Sequence, residues 1–112
     1  MQIQVNTDHN VEGREALIKG VSGVVDAALG RLSHQITRVE VHLSDVSGPR
    51  TGGEDKRCMM EARLEGHPPV AVTHEAATIH QAVDGASARL GRRIESTLAT
   101  LRSRQERRGG DR

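Results

Sequence analysis

The sequence predicts an α+β two-layer sandwich with the element order β-α-β-β-β-α, in which two helices pack on one face of a four-stranded mixed sheet. Two long segments place apolar residues at steps of three and four, which is the period of an amphipathic helix. Four shorter segments alternate apolar and polar residues, which is typical of strands with one buried face. The chain has 112 residues, the size of one domain with a modest core. We expect that domain to span residues 1–108 and residues 109–112 to be disordered.

The first half of the chain predicts a strand, a helix and a second strand. Gln2–Asn6 alternates, with Ile3 and Val5 on one side. Glu12–Leu32 follows as a helix, and Ile36–Asp45 alternates again as a strand. The apolar stripe of the helix consists of Leu17, Val21, Val24, Val25, Ala28, Leu29 and Leu32. The inward residues of the second strand are Val39, Val41 and Leu43.

Two further strands follow a loop. Residues 46–54 contain three glycines and a proline, which predicts the loop. Lys56–Glu65 is the third strand, Gly66–Pro69 a turn and Val70–Thr73 the fourth strand. The inner residues of the third strand are Cys58, Met60, Ala62 and Leu64. Short loops predict an antiparallel meander for strands two to four, whereas the crossover through the first helix predicts parallel pairing of the first strand.

The last helix, Thr78–Arg108, has an apolar face and a basic face. Thr78 with Gln81 three residues later is a capping-box start. The apolar stripe consists of Ile79, Val83, Ala86, Leu90, Ile94, Leu98 and Leu101. A neighbouring face carries Arg89, Arg92, Arg93, Arg104 and Arg107. Arginine binds phosphate in a bidentate manner, so we predict a phosphate-binding face; the alternative is a solvated face that keeps the helix soluble.

Charge is distributed unevenly along the chain. The formal net charge is only +1, but eight arginines against three acidic residues give +5 from Arg89 onward and leave −4 for residues 1–88. This asymmetry favours a polyanionic partner at the C-terminal end. The chain contains no Phe, Tyr or Trp, so bases cannot stack on aromatic side chains. Any contacts with nucleic acid must therefore be phosphate, sugar and shape contacts, and arginine is the only side chain left that could stack on a base.

Several other classes of function are disfavoured. The six histidines and the single Cys58 lack the spacing of metal ligands, so we expect no metal site and no cofactor. No apolar cleft is predicted around the carboxylates, and Cys58 is expected to be buried and inert, with no base or helix start nearby; we therefore expect no enzyme and no small-molecule substrate. A lone cysteine, no signal peptide and no apolar span indicate a cytoplasmic protein without a membrane partner.

Three segments carry a resemblance to a known family. MQIQVNTDHNVEGREAL resembles the first strand and the start of helix one of the ribosome hibernation factors, formerly called sigma-54 modulation proteins, and ITRVEVHLSD resembles their second strand. TIHQAVDGASARLGRRI is similar to the pattern of their second helix, with Asp84 at the family aspartate and Arg89 and Arg92 at its basic positions. The resemblance runs from Met1 to about Arg104 and is of the short form.

The resemblance implies a partner and a mechanism. It implies binding to rRNA of the small ribosomal subunit and occlusion of the mRNA/tRNA channel during stress or stationary phase. Basic residues of both helices serve this role in the family, which adds Lys19 and Arg31 of helix one to the five arginines of helix two. The oligomeric state is left open, with a monomer expected on the ribosome. The alternative function is a non-ribosomal interaction or self-association module that uses the polar sheet face.

Overall fold

A computed structural model describes residues 1–7, 14–46 and 56–110, with side chains up to residue 107. The elements are β1 (Gln2–Thr7), α1 (Arg14–Leu29), β2 (Ile36–Asp45), β3 (Lys56–Leu64), β4 (Val70–Ala76) and α2 (Ile79–Gly110). A 3-10 turn, Gly30–Leu32, ends the first helical segment. The predicted α+β fold and its element order are confirmed.

The four strands form one sheet in the order β1-β2-β3-β4. β1 pairs with β2 in parallel, and the remaining neighbours pair antiparallel, as predicted. The register of β2 shifts between Ile36 and Arg38, leaving Thr37 as an extra residue whose hydroxyl donates to the carbonyl oxygen of Arg63 at 3.0 Å. This bulge brings Ile36 onto the same face as Val39, although simple alternation would place them on opposite faces.

The two largest differences from the predicted boundaries are at the ends of β4 and α2. β4 continues to Ala76, three residues past the predicted end, because its last residues pair with the first residues of β3. The predicted start of the first helix at Glu12 and most of the predicted loop lie outside the described residues. α2 continues to Gly110, two residues past its predicted end, and residues 111–112 are not described. The disorder of residues 109–112 therefore stays a prediction.

One apolar core lies between the sheet and the helices. α2 packs on β3 and β4, and α1 packs beside it against α2 and β1. The inward residues predicted for β2 and β3 are all buried, as are Val83, Ala86, Leu90 and Ile94 of α2. The ends of the predicted α2 stripe, Ile79, Leu98 and Leu101, are only partly buried. Burying one side of each helix leaves its other side to solvent, which positions the basic residues.

Two glycines are required by their surroundings. Gly66 in the β3–β4 turn has φ of +71°, a conformation that side chains with a Cβ rarely adopt. At Gly85 a Cβ atom would lie 2.2 Å from Cδ2 of His74, because the imidazole of that β4 residue packs directly on the α2 backbone. α2 therefore approaches β4 closely at this point.

Candidate nucleic-acid interface

α2 begins at a side-chain cap that sets its direction. The backbone N–H of Gln81 donates to the hydroxyl oxygen of Thr78 at 3.1 Å, which is the first half of the predicted capping box. The helix then buries Val83, Leu90 and Ile94 against the sheet. At about 100° per residue, this orientation turns positions 89, 92 and 93 toward solvent.

The first three predicted arginines lie within little more than one turn of α2. Arg89 is exposed, and its guanidinium donates to the carbonyl oxygen of Thr73 at 2.9 Å, so it is anchored to the outer edge of the sheet at β4. Arg92 and Arg93 are exposed as well, and neither makes an ion pair or a side-chain hydrogen bond with any described residue. The three residues therefore form a small basic cluster. Arg92 and Arg93 are here called the Arg92–Arg93 pair, and Arg89 is their neighbour.

A shallow cleft beside this cluster was missed from the sequence. It has a volume of about 670 Å³ and lies between the end of β4 and the start of α2. Thr73, Gln81 and Arg89 line it. No sequence signal marks this cleft, because it depends on β4 continuing past its predicted end and lying beside α2.

Arg104 and Arg107 lie well beyond the first three arginines along α2. With a rise of about 1.5 Å per residue, Arg104 is about 22 Å from Arg89 along the helix axis. Residues 102–107 are all exposed. The five predicted arginines therefore form two separate groups rather than one patch.

The two predicted basic residues of helix one do not join the cluster. Leu17 of α1 lines a groove with Ile79 and Val83 of α2, so it marks the side of α1 that faces α2. Lys19 lies about 200° around α1 from Leu17 and therefore points away from α2. Arg31 does reach α2, but its Nε donates to Oε1 of Glu95 at 2.9 Å and a further guanidinium nitrogen contacts the carbonyl oxygen of Ala28.

The open sheet face also carries charges, but these neutralise one another in pairs. Arg38 lies 2.8 Å from a carboxylate oxygen of Glu40 and also donates to Gln4. Further pairs on this face are Arg57 with Glu75 at 2.8 Å and Arg63 with Glu61 at 3.7 Å. Such exposed pairs contribute little to stability, but they lower the net field that a polyanion would meet. The unpaired positive charge is concentrated on α2.

Comparison with known proteins identifies the family of this chain. Residues 4–102 match the family described as Sigma 54 modulation protein / S30EA ribosomal protein. The chain belongs to this family. The resemblance found in the sequence is thereby confirmed, and the match includes the Arg92–Arg93 pair but ends before Arg104 and Arg107.

Two solved structures are similar to this family member. The N-terminal domain of Protein Y from Thermus thermophilus is 25% identical, with a TM-score of 0.60, and the alignment covers 87% of this chain and 99% of that one. A ribosomal subunit interface protein from Coxiella burnetii is 17% identical, with a TM-score of 0.65 and coverage of 88% and 99%; this similarity shows the fold alone. Comparison with curated protein sequences gives no significant match.

The structure also describes the surroundings of the single cysteine and of the other potential ligands in this family member. Cys58 is fully buried, and burial raises the pKa of its thiol to about 12. The register places His74 opposite Cys58, so a potential base does lie nearby, contrary to the prediction; the raised pKa still keeps the thiol protonated. Nowhere in the described ranges do three histidine, cysteine or carboxylate side chains meet in a way that could hold a metal ion. Within the same ranges, no helix has the length and apolar character needed to cross a bilayer.

Proposed function

We propose that this chain binds rRNA of the small ribosomal subunit in the cytosol and inhibits translation by occupying the channel for mRNA and tRNA anticodon ends. The observation that carries the proposal is the family match over residues 4–102, which contains the exposed Arg92–Arg93 pair. The printed names of the similar structures, Protein Y and a ribosomal subunit interface protein, support a ribosomal partner.

The electrostatics of the described residues favour α2 as the side that meets RNA. Arg92 and Arg93 have no described ion-pair partner, so binding to phosphate breaks no existing pair. Arg31 must first leave Glu95, and the arginines of the sheet face must leave their own carboxylates. Because phosphate contacts release counterions, we expect binding that weakens steeply with salt.

The proposed mechanism is steric and needs no chemical step. A folded domain held in the channel by several phosphate contacts excludes mRNA and tRNA for as long as it remains bound. We therefore expect inhibition to follow occupancy of the small subunit, and to be relieved when salt or a competing ligand displaces the protein. We place this activity in stressed or stationary cells, in which idle ribosomes accumulate.

Cosedimentation with purified small subunits tests the proposal. The wild-type protein should enter the subunit fraction at low salt, and the double variant R92E/R93E should remain at the top of the gradient. The matched control is R38E/R63E, which makes the same change in net charge on the open sheet face and should still bind. If the wild type stays at the top of the gradient at low salt, the proposal is wrong.

The same variants address the alternative of an interaction module that uses the sheet face. Met59 is the exposed large apolar residue of that face among the described residues, with 38% of its surface accessible. Association through this face should be lost in R38E/R63E, retained in R92E/R93E and nearly independent of salt. Size-exclusion chromatography and subunit binding of both variants therefore separate the two functions.

A further inference from the structure

The end of α2 extends beyond the body of the protein. Ile94 is its last fully buried residue, and Leu98 still packs against the core. Residues 102–107, here called the overhang, are exposed without exception. The molecule measures 59 Å along its longest axis and 31 Å and 19 Å along the other two. This elongation is consistent with α2, because a helix of 32 residues is about 48 Å long. The overhang therefore has no sheet beneath it.

This placement changes which arginines can contact the same ligand. Where α2 packs on the sheet, only the outer side can meet a ligand, so arginines must share one face to act together. In the overhang every side is accessible. At about 100° per residue, Arg104 and Arg107 lie about 60° apart, and Arg102 lies about 160° from Arg104 on the opposite side. Arg102 is absent from the arginine face that the sequence pattern defines.

The charges of the overhang are largely uncompensated. Arg102, Arg104 and Arg107 make no ion pair with any described residue, and Glu106 is the only acidic residue in the segment. A helix with unpaired guanidinium groups on two opposite sides is complementary to phosphates that approach from both. It is less suited to a flat protein surface, which would leave one side of the arginines without a partner.

We propose that the overhang inserts between two RNA backbones, with Arg102 binding phosphates on one side and Arg104 and Arg107 binding phosphates on the other. This inference rests on the proposed RNA partner but assigns a contact region distinct from the Arg92–Arg93 pair. It also lies almost wholly outside the part of the chain that matches the family, which ends at residue 102. A helix of about 10–12 Å in diameter would separate the two backbones.

The salt dependence of binding to small ribosomal subunits tests this geometry. R102Q and R104Q should each reduce the slope of log affinity against log salt by about one unit, and R102Q/R104Q by about two. R14Q removes the same charge from the exposed start of α1 and should leave the slope unchanged. R102K retains the charge and should retain the slope, which separates loss of a phosphate contact from loss of helix.

Two outcomes would overturn the inference. If R104Q reduces the slope and R102Q does not, RNA contacts the overhang from one side only. If R102Q and R104Q both leave the slope unchanged while R92Q/R93Q reduces it, the overhang is not a contact region. A fully paired RNA hairpin serves as a second probe for the same variants. If the wild type fails to bind small subunits, the proposed function is wrong. The salt dependence of binding to the hairpin, measured with the same variants, then shows separately whether the overhang contacts RNA on two sides.

Discussion

The close packing of His74 on Gly85 makes a prediction about stability that can be calculated from the structure. Gly85→Ala removes a glycine from the interior of α2, which by helix propensity alone should stabilise the protein by about 1 kcal/mol. The new Cβ, however, would lie 2.2 Å, 2.3 Å and 2.8 Å from Cδ2, Nε2 and Cγ of His74. All three are atoms of the imidazole ring, and rotation about the Cβ–Cγ bond leaves Cγ in place, so turning the ring cannot remove the whole clash.

The steric cost should therefore exceed the gain in propensity. Overpacking of this kind costs about 1–3 kcal/mol, so we expect Gly85→Ala to lower the free energy of unfolding by about 1 kcal/mol. In a His74→Ala background the clash is absent, and the same substitution should instead raise the free energy of unfolding by about 1 kcal/mol. The coupling energy between the two positions should be about 2 kcal/mol.

Urea denaturation followed by far-UV circular dichroism measures all four proteins of this cycle, and it suits a chain that has no tryptophan or tyrosine for fluorescence. Gly23→Ala is the matched control, because a Cβ at this exposed α1 position would meet nothing within 4 Å. It should stabilise the protein by about 1 kcal/mol. If Gly85→Ala stabilises the wild type as much as Gly23→Ala does, the inferred packing of His74 on α2 is wrong.

Three further predictions concern charge and ionisation. Glu95→Gln should release Arg31 for phosphate and steepen the salt dependence of subunit binding by about one unit. The effect should vanish with Arg31→Gln, and Asp26→Asn, at an exposed α1 position, reports the general effect of removing an acid. Arg89→Gln should weaken subunit binding and also lower stability by up to about 1 kcal/mol through loss of its bond to Thr73, whereas Arg92→Gln should weaken binding alone. Burial raises the pKa of the Cys58 thiol from 9.0 to about 12, so its protonated form stabilises the fold below pH 9 and this contribution is lost as the pH rises toward 12. In urea titrations, the free energy of unfolding of the wild type relative to Cys58→Ala should therefore fall over that range. A constant difference between the two proteins would contradict the assignment.

The fold was largely predictable because its signals are local. Strict alternation in β3 placed Cys58, Met60 and Ala62 on one face, and the structure buries all three. The three-and-four spacing of α2 likewise identified Leu90 and Ile94 as core residues. Prediction failed where pairing between segments overrides the local pattern: the bulge at Thr37 and the extra length of β4 both follow from the register with β3.

The candidate interface was predictable only in part. Helical geometry alone placed Arg92 and Arg93 on a solvent face beside the apolar stripe, and the structure leaves both exposed. It could not show that Arg31 is held by Glu95, because those residues lie 64 positions apart and meet only when α1 packs on α2. It also could not show that Arg89 is anchored to the β4 backbone.

The sequence by itself determined which side of each element is apolar, because side-chain period along a strand or helix is a property of the local backbone. It also determined that the excess positive charge lies at the C-terminal end. Only the tertiary structure decided which charges are available and where α2 leaves the sheet. Both depend on contacts between distant segments. Carboxylates neutralise Arg31 and the arginines of the sheet face. Beyond Leu98, α2 no longer packs on the sheet, so Arg102, Arg104 and Arg107 are all exposed.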